Sequence, residues 1–143
     1  MKSQKHDVNG FIKSFFNYVT FLEKEMAEDD FNFNEMRIIF ELWENGTVSA
    51  KSIESELALD KGYTSRLLTR LIADDIIEKK QSSEDKRFYD ISFTKKGERL
   101  AASLYDKYEK IITNDYNRMD KVEQQRFLET LKVFKKIDEA RES

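Results

Sequence analysis

Two stretches of the chain carry side chains whose types and spacing suit recognition of an anionic polymer. In the first, Lys61, Gly62, Tyr63, Thr64, Ser65, Arg66, Thr69 and Arg70 follow Asp60. Gly62 leaves a slim opening turn for a helix entering a groove, and Tyr63, Ser65 and Arg66 can exchange hydrogen bonds with base edges there. Lys61, Thr64, Arg70 and the amides behind Asp60 suit phosphate oxygens, which fix register without specifying sequence. In the second stretch, Asp85, Lys86 and Arg87 lie in a polar run. Long cations on a thin ribbon fit the narrow, electronegative minor groove of duplex DNA. Asp85 is acidic where a polyanion would repel it, so its expected role is to hold the Arg87 guanidinium as a planar fork at a set angle. Tyr63 has a second reading of equal weight, as a staple packing the helix entry.

Catalytic chemistry finds no comparable grouping. The chain has no Cys, hence no disulfide, thiolate metal site or thiol switch, and its one His, His6, lies near the start. Asp74 and Asp75 are adjacent and point to different sides of a helix, which makes them poor acid–base partners. With no nucleophile–base pair and no phosphate-cradling Gly loop, no enzyme activity, metal or cofactor is expected.

The elements that must position these residues can be read from periodicity. Asp60 is a strong N-cap, and Leu67, Leu68, Leu71 and Ile72 form the buried stripe of the helix it opens. After Asp74-Asp75 the period changes, giving short strands at 76–80 and 88–93 around a charged hairpin loop at 81–87. Upstream, Ser49 caps a short helix with Ile53 and Leu57, and Asn32 or Asn34 caps another with Met36, Ile39, Phe40 and Trp43, closed by Asn45-Gly46. An N-terminal helix places Val8, Ile12, Phe15, Val19, Leu22 and Met26 on one face, with Glu28-Asp29-Asp30 ending it. Thr94 caps a long helix with Leu100, Leu104, Tyr108 and Ile111, and Asp120 with Glu123 forms a capping box for a last helix bearing Phe127, Leu131 and Phe134. Three short helices followed by a β-hairpin is the order of a winged helix-turn-helix, so the expected fold is mainly α with a small β-hairpin wing.

Composition agrees. The 143 residues include no Pro and only four Gly, which favours uninterrupted helices. Net charge is −3, yet residues 61–99 hold ten basic against seven acidic side chains, while residues 1–60 hold six against twelve. A local positive patch can therefore meet phosphates while the remainder keeps the protein in solution. Nowhere do apolar residues approach the roughly 18 needed to cross a bilayer, and a cytoplasmic, non-membrane protein is expected.

From about Asn34 to Gly97 the chain resembles the multiple antibiotic resistance regulator (MarR) family. The resemblance is carried by the run Asp60 to Leu71, by Ile76-Ile77-Glu78-Lys79, by an Asp-x-Arg wing at Asp85 and Arg87, and by Phe93-Thr94-Lys95-Lys96-Gly97, with Phe93 where the family has Leu. One departure is Asp75, where the family has Gly at the end of the recognition helix, which implies a strained or differently shaped turn. Gly62-Tyr63 is an unusual opening turn, so the family does not indicate which operator is read.

The resemblance implies a homodimeric transcriptional regulator, a repressor on a palindromic or near-palindromic site, relieved by a small aromatic effector. Residues 1–32 and 95–143 are expected to be dimerisation segments around a DNA-binding domain at 33–94. The outer apolar faces, too long for the small central domain to cover, supply Val8, Ile12, Phe15, Phe127, Leu131 and Phe134 to the dimer. Phe11, Phe15, Tyr18, Phe40 and Trp43 are candidate effector contacts at the hinge between the helical dimer and the winged lobes. Core packing is the favoured reading of any single ring among them. The rival function is a protein–protein docking module that uses the same fold without DNA.

Overall fold

The computed structural model describes residues 2–26 and 31–142. The order of elements is α1 (Lys2–Glu25), α2 (Phe33–Asn45), β1 (Val48–Ser49), α3 (Ala50–Leu57), α4 (Lys61–Ala73), β2 (Ile77–Gln81), β3 (Tyr89–Phe93), α5 (Lys95–Asn117) and α6 (Lys121–Glu142). The acidic end expected for the first helix, Glu28 to Asp30, lies outside the described residues. Helix α2 takes Asn32 as its cap: the Asn32 side chain accepts from the Glu35 amide at 2.8 Å, and the Glu35 carboxylate reaches back to the Asn32 amide. Ser49 caps α3 through the Ser52 amide at 3.0 Å.

The hairpin of β2 and β3 gains a third strand that periodicity did not reveal. Two-residue β1 pairs antiparallel with β3, giving the order β1-β3-β2 with Val48 opposite Ile91 and Ile77 opposite Phe93. Two residues are too few to show alternation. The core under this sheet comprises Met36, Ile38, Ile39 and Leu42 of α2, Ile53 of α3, and Leu67, Leu68 and Leu71 of α4. Ile76, Ile77 and Ile91 complete it, with Ala101 and Leu104 of α5 and Leu22 and Met26 from the first segment. Ile72, expected in the buried stripe, is 38% exposed.

Two non-glycine residues in the left-handed region end the central helices, Ala58 after α3 and Asp75 after α4, the latter with φ 60°. At Asp75 the amide bonds the Ile72 carbonyl and the Ile76 amide bonds the Leu71 carbonyl, both at 3.0 Å. This is the Schellman pattern, in which glycine is favoured because it lacks a Cβ. Asp75 thus makes a Schellman turn with a residue other than glycine.

The chain divides into two compact units, residues 1–107 and 108–143. All the buried apolar side chains named above belong to the first. Helix α6 starts from its expected box, with the Glu123 amide bonding Asp120 Oδ1 at 2.8 Å. Within the second unit Tyr116 and Phe127 meet edge to face at 6.3 Å.

Candidate nucleic-acid interface

Helix α4 is fixed at its start by Asp60, whose carboxylate accepts from the Tyr63 amide at 3.1 Å. The burial of Leu67, Leu68 and Leu71 then turns Lys61, Gly62, Ser65, Arg66 and Thr69 outward, where all five are exposed. Thr64 does not join them. It is fully buried and its hydroxyl donates to the Asp60 carbonyl at 2.8 Å, so the phosphate contact expected of it is corrected to a role in the helix start.

Tyr63 and Arg70 lie on the flank of α4 that meets α2. Asn34 Nδ2 donates to the Tyr63 hydroxyl at 3.3 Å, and Asn34 in turn accepts from Arg37, which also donates to the Leu57 carbonyl. The half-buried Tyr63 ring lies 5.8 Å from the Arg66 guanidinium. Arg70 Nη1 sits 3.3 Å from Glu35 Oε1, and Glu35 is 1% exposed, with no hydrogen-bond partner for Oε2 among the described residues. Drawing Arg70 away to a phosphate would strand a buried carboxylate, which is costly. Arg70 thus ties α4 to α2 through Nη1 while its side chain stays 59% exposed. The sequence hides this pairing because its partners are far apart in the chain.

The wing tip is built around the expected clamp. Arg87 donates to Asp85 through Nη2 at 2.8 Å and Nε at 3.1 Å, and the Arg87 amide adds a bond to Asp85 Oδ1 at 3.0 Å. The Arg87 side chain first, and its backbone amide second, hold the Asp85 carboxyl below the usual carboxylate range, and Asp85 raises Arg87 further. Gln81 Nε2 bonds the Lys86 carbonyl at 2.7 Å and the Ser82 amide bonds the Phe88 carbonyl at 2.9 Å, leaving the Lys86 and Arg87 side chains exposed on a braced tip.

Between the wing and the starts of α3 and α4 lies a cleft of about 500 Å³, lined by Lys61 and Arg87 together with Lys51 and Lys79. The last two were not among the residues expected to meet DNA. Lys51 stands in the first turn of α3, which has no acidic residue, and the exposed Lys79 lies two residues after the buried Ile77 on β2; both positions are visible in the sequence.

The candidate effector aromatics fall into two groups. Phe40 and Trp43 meet Tyr105 of α5 at 5.4 and 6.0 Å, whereas Phe11 and Phe15 stack on α1 at 6.5 Å and Tyr18 meets Phe21 at 6.1 Å. Core packing is not what the α1 rings do in the single chain, where Phe15 is 51% exposed and Phe11, Phe16 and Phe21 are also exposed. Val8, Ile12, Phe127, Leu131 and Phe134, the remaining residues expected at a dimer contact, are exposed too. Among the described residues no group of three or more His, Cys, Asp or Glu is placed to hold a metal ion, and no helix is long and apolar enough to cross a membrane.

The MarR family model matches residues 31–88, the segment from the α2 cap to the wing. The HTH-type transcriptional regulator MgrA of Staphylococcus aureus is 33% identical over 101 residues, spanning 71% of this chain and 68% of the relative. The chain belongs to the MarR family. Members of that family are transcriptional regulators and not enzymes, and the winged fold of this MarR-family chain is shared with solved structures. A mutant MarR from E. coli complexed with operator DNA superposes with a TM-score of 0.78 at 15% identity, covering 90% of this chain and 93% of that one. BpsR of Bordetella bronchiseptica, whose DNA binding is regulated by 6-hydroxynicotinic acid, superposes with a TM-score of 0.76 at 14% identity, covering 89% and 91%.

Proposed function

We propose that this MarR-family regulator binds double-stranded DNA as a homodimer, with α4 in the major groove and the wing in the adjacent minor groove. The observation that carries the reading is the Arg87 fork, locked by Asp85 on an exposed tip in the same compact unit as the outward face of α4. A guanidinium held at a fixed angle loses little freedom on entering a groove, which is the economy a minor-groove contact needs. Lys61, Gly62, Ser65, Arg66 and Thr69 supply the major-groove surface, with Tyr63 at its edge, and Lys86 and Arg87 supply the wing contacts.

The second chain covers the exposed apolar residues of α1 and α6. Burying a large apolar side chain is worth roughly 1.5–3 kcal/mol, so faces bearing Val8, Ile12, Phe15, Phe127 and Leu131 favour association. Residues 1–32 and 95–143 thus form the dimerisation segments around a DNA-binding domain at 33–94. A twofold dimer sets its two α4 helices about 34 Å apart on a palindromic or near-palindromic operator. The protein acts in the cytoplasm as a repressor. A small aromatic effector against Phe40, Trp43 and the aromatics of α1 alters the spacing of the two reading lobes and lowers DNA affinity, a population shift between two dimer states.

The test is a binding titration against the DNA upstream of the protein's own gene at several salt concentrations. Affinity is expected to fall log-linearly as salt rises, and Arg87→Ala to cost about 1–3 kcal/mol per site. A docking module would show neither effect. Aromatic acids and phenols that leave the titration unchanged would rule out the effector step.

A further inference from the structure

Resting on the reading that α4 and the wing face duplex DNA, we infer that Lys51 and Lys79 hold a backbone phosphodiester of that duplex in the cleft between α3 and the wing, beside Lys61 and Arg87. Four cations line this cleft against one carboxylate, Glu54, and with Arg87 already held by Asp85 the excess charge lies on Lys51, Lys61 and Lys79. Such a grouping repels itself until an anion enters. Lys51 stands in the first turn of α3, where the positive end of the helix dipole opposes a cation, so its position is not explained by stability of the helix.

The manner in which these cations are held points the same way. Lys79 Nζ lies 4.2 Å from the centre of the Tyr89 ring, while Lys51 Nζ and the Arg87 guanidinium lie 5.9 and 5.8 Å from that of Phe88. Among the described residues Lys51, Lys61 and Lys79 form no ion pair within 4 Å. An aromatic face restrains a cation without neutralising it, so the charge stays available to an incoming phosphate. Phe88 stands between Lys51 on α3 and Arg87 on the wing. The interaction is with the backbone, so it sets register and affinity and carries no sequence preference.

The experiment uses the full chain and a mixed-sequence duplex of about 30 base pairs, titrated between about 50 and 200 mM salt. Lys51→Gln and Lys79→Gln are each expected to weaken binding alike on every sequence and to make the slope of log K against log salt shallower by about 0.9 for each phosphate no longer neutralised. Lys51→Arg and Lys79→Arg keep the wild-type slope. Lys51→Gln, at an exposed helix position, keeps the test open should Lys79→Gln disturb its strand. A wild type that binds with a steep slope, beside Gln variants with that same slope, overturns the inference and spares the DNA reading. A wild type with no salt-dependent binding overturns the reading itself. Inorganic phosphate added at constant ionic strength separates the other source of the same chemistry: phosphate-induced shifts of the lysine resonances, with the DNA slope unmoved by the Gln variants, would assign the cleft to a free anion and overturn the inference.

Discussion

Arg70 and Arg87 are the same residue type, both expected at the DNA from the sequence, and they are held differently. Arg87 projects from the wing with its guanidinium clamped by an exposed carboxylate, whereas Arg70 spans to a carboxylate that is buried. Arg70→Ala is expected to cost about 1–3 kcal/mol in urea denaturation, because the buried Glu35 carboxylate keeps only the 3.4 Å bond from the Asn32 amide, yet to leave the salt slope of DNA binding unchanged. The Asp85 clamp carries a pH prediction. Its folded-state pKa is depressed, so its contribution is present above the ordinary carboxylate value and is lost only as pH falls through the lower folded-state value. Arg87-dependent DNA affinity should therefore be flat from about pH 5 to pH 8, as titrations with wild type and Arg87→Ala at each pH would reveal. The clamp was legible in sequence because its partners are two residues apart. The Glu35–Arg70 pair and the inward turn of Thr64 were not, since long-range pairing decides the one and the exact rotation of α4 the other.

At the scale of elements, α4, β2 and α5 meet in a close joint. A Cβ at Gly97 would collide with the Ile76 carbonyl oxygen. Thr94 stitches the same corner: its hydroxyl donates to the Asp75 carbonyl at 2.6 Å and accepts from the Gly97 amide at 3.0 Å. Gly97→Ala should lower stability by about 3 kcal/mol in urea denaturation, since backbone on both sides must shift. Asp75→Gly should do the reverse and raise it by about 0.5–1 kcal/mol, because φ 60° costs glycine nothing sterically. The Thr-x-x-Gly pattern was recognised by resemblance, and its cause is this close approach. The caps at Ser49, Asp60 and Asp120 were readable from local chemistry alone, and that of α2 as far as Asn32 or Asn34. Strand β1 was not, because two residues carry no period and exist as a strand only through β3.

For the whole molecule, the proposed dimer rests on the exposed apolar side chains of α1 and α6. Phe15→Asp and Phe127→Asp should each shift sedimentation toward the monomer and weaken operator binding together with dimerisation, because a chain with one reading lobe engages only half of the operator. Their helical spacing and the excess length of these faces over the central domain were plain in the sequence, whereas which rings fill their own chain was not: an aromatic stripe looks the same whether its own chain or a second copy covers it. The same ambiguity separates the effector aromatics from simple filling.

The most direct measurement is a hydroxyl-radical footprint of the protein on the DNA upstream of its gene. Protection is expected on two stretches about 10 base pairs apart, flanked by minor-groove protection that Arg87→Ala removes while the central protection remains. A single unpaired footprint, or flanks that persist without Arg87, would contradict a twofold dimer that reads DNA with helix and wing together.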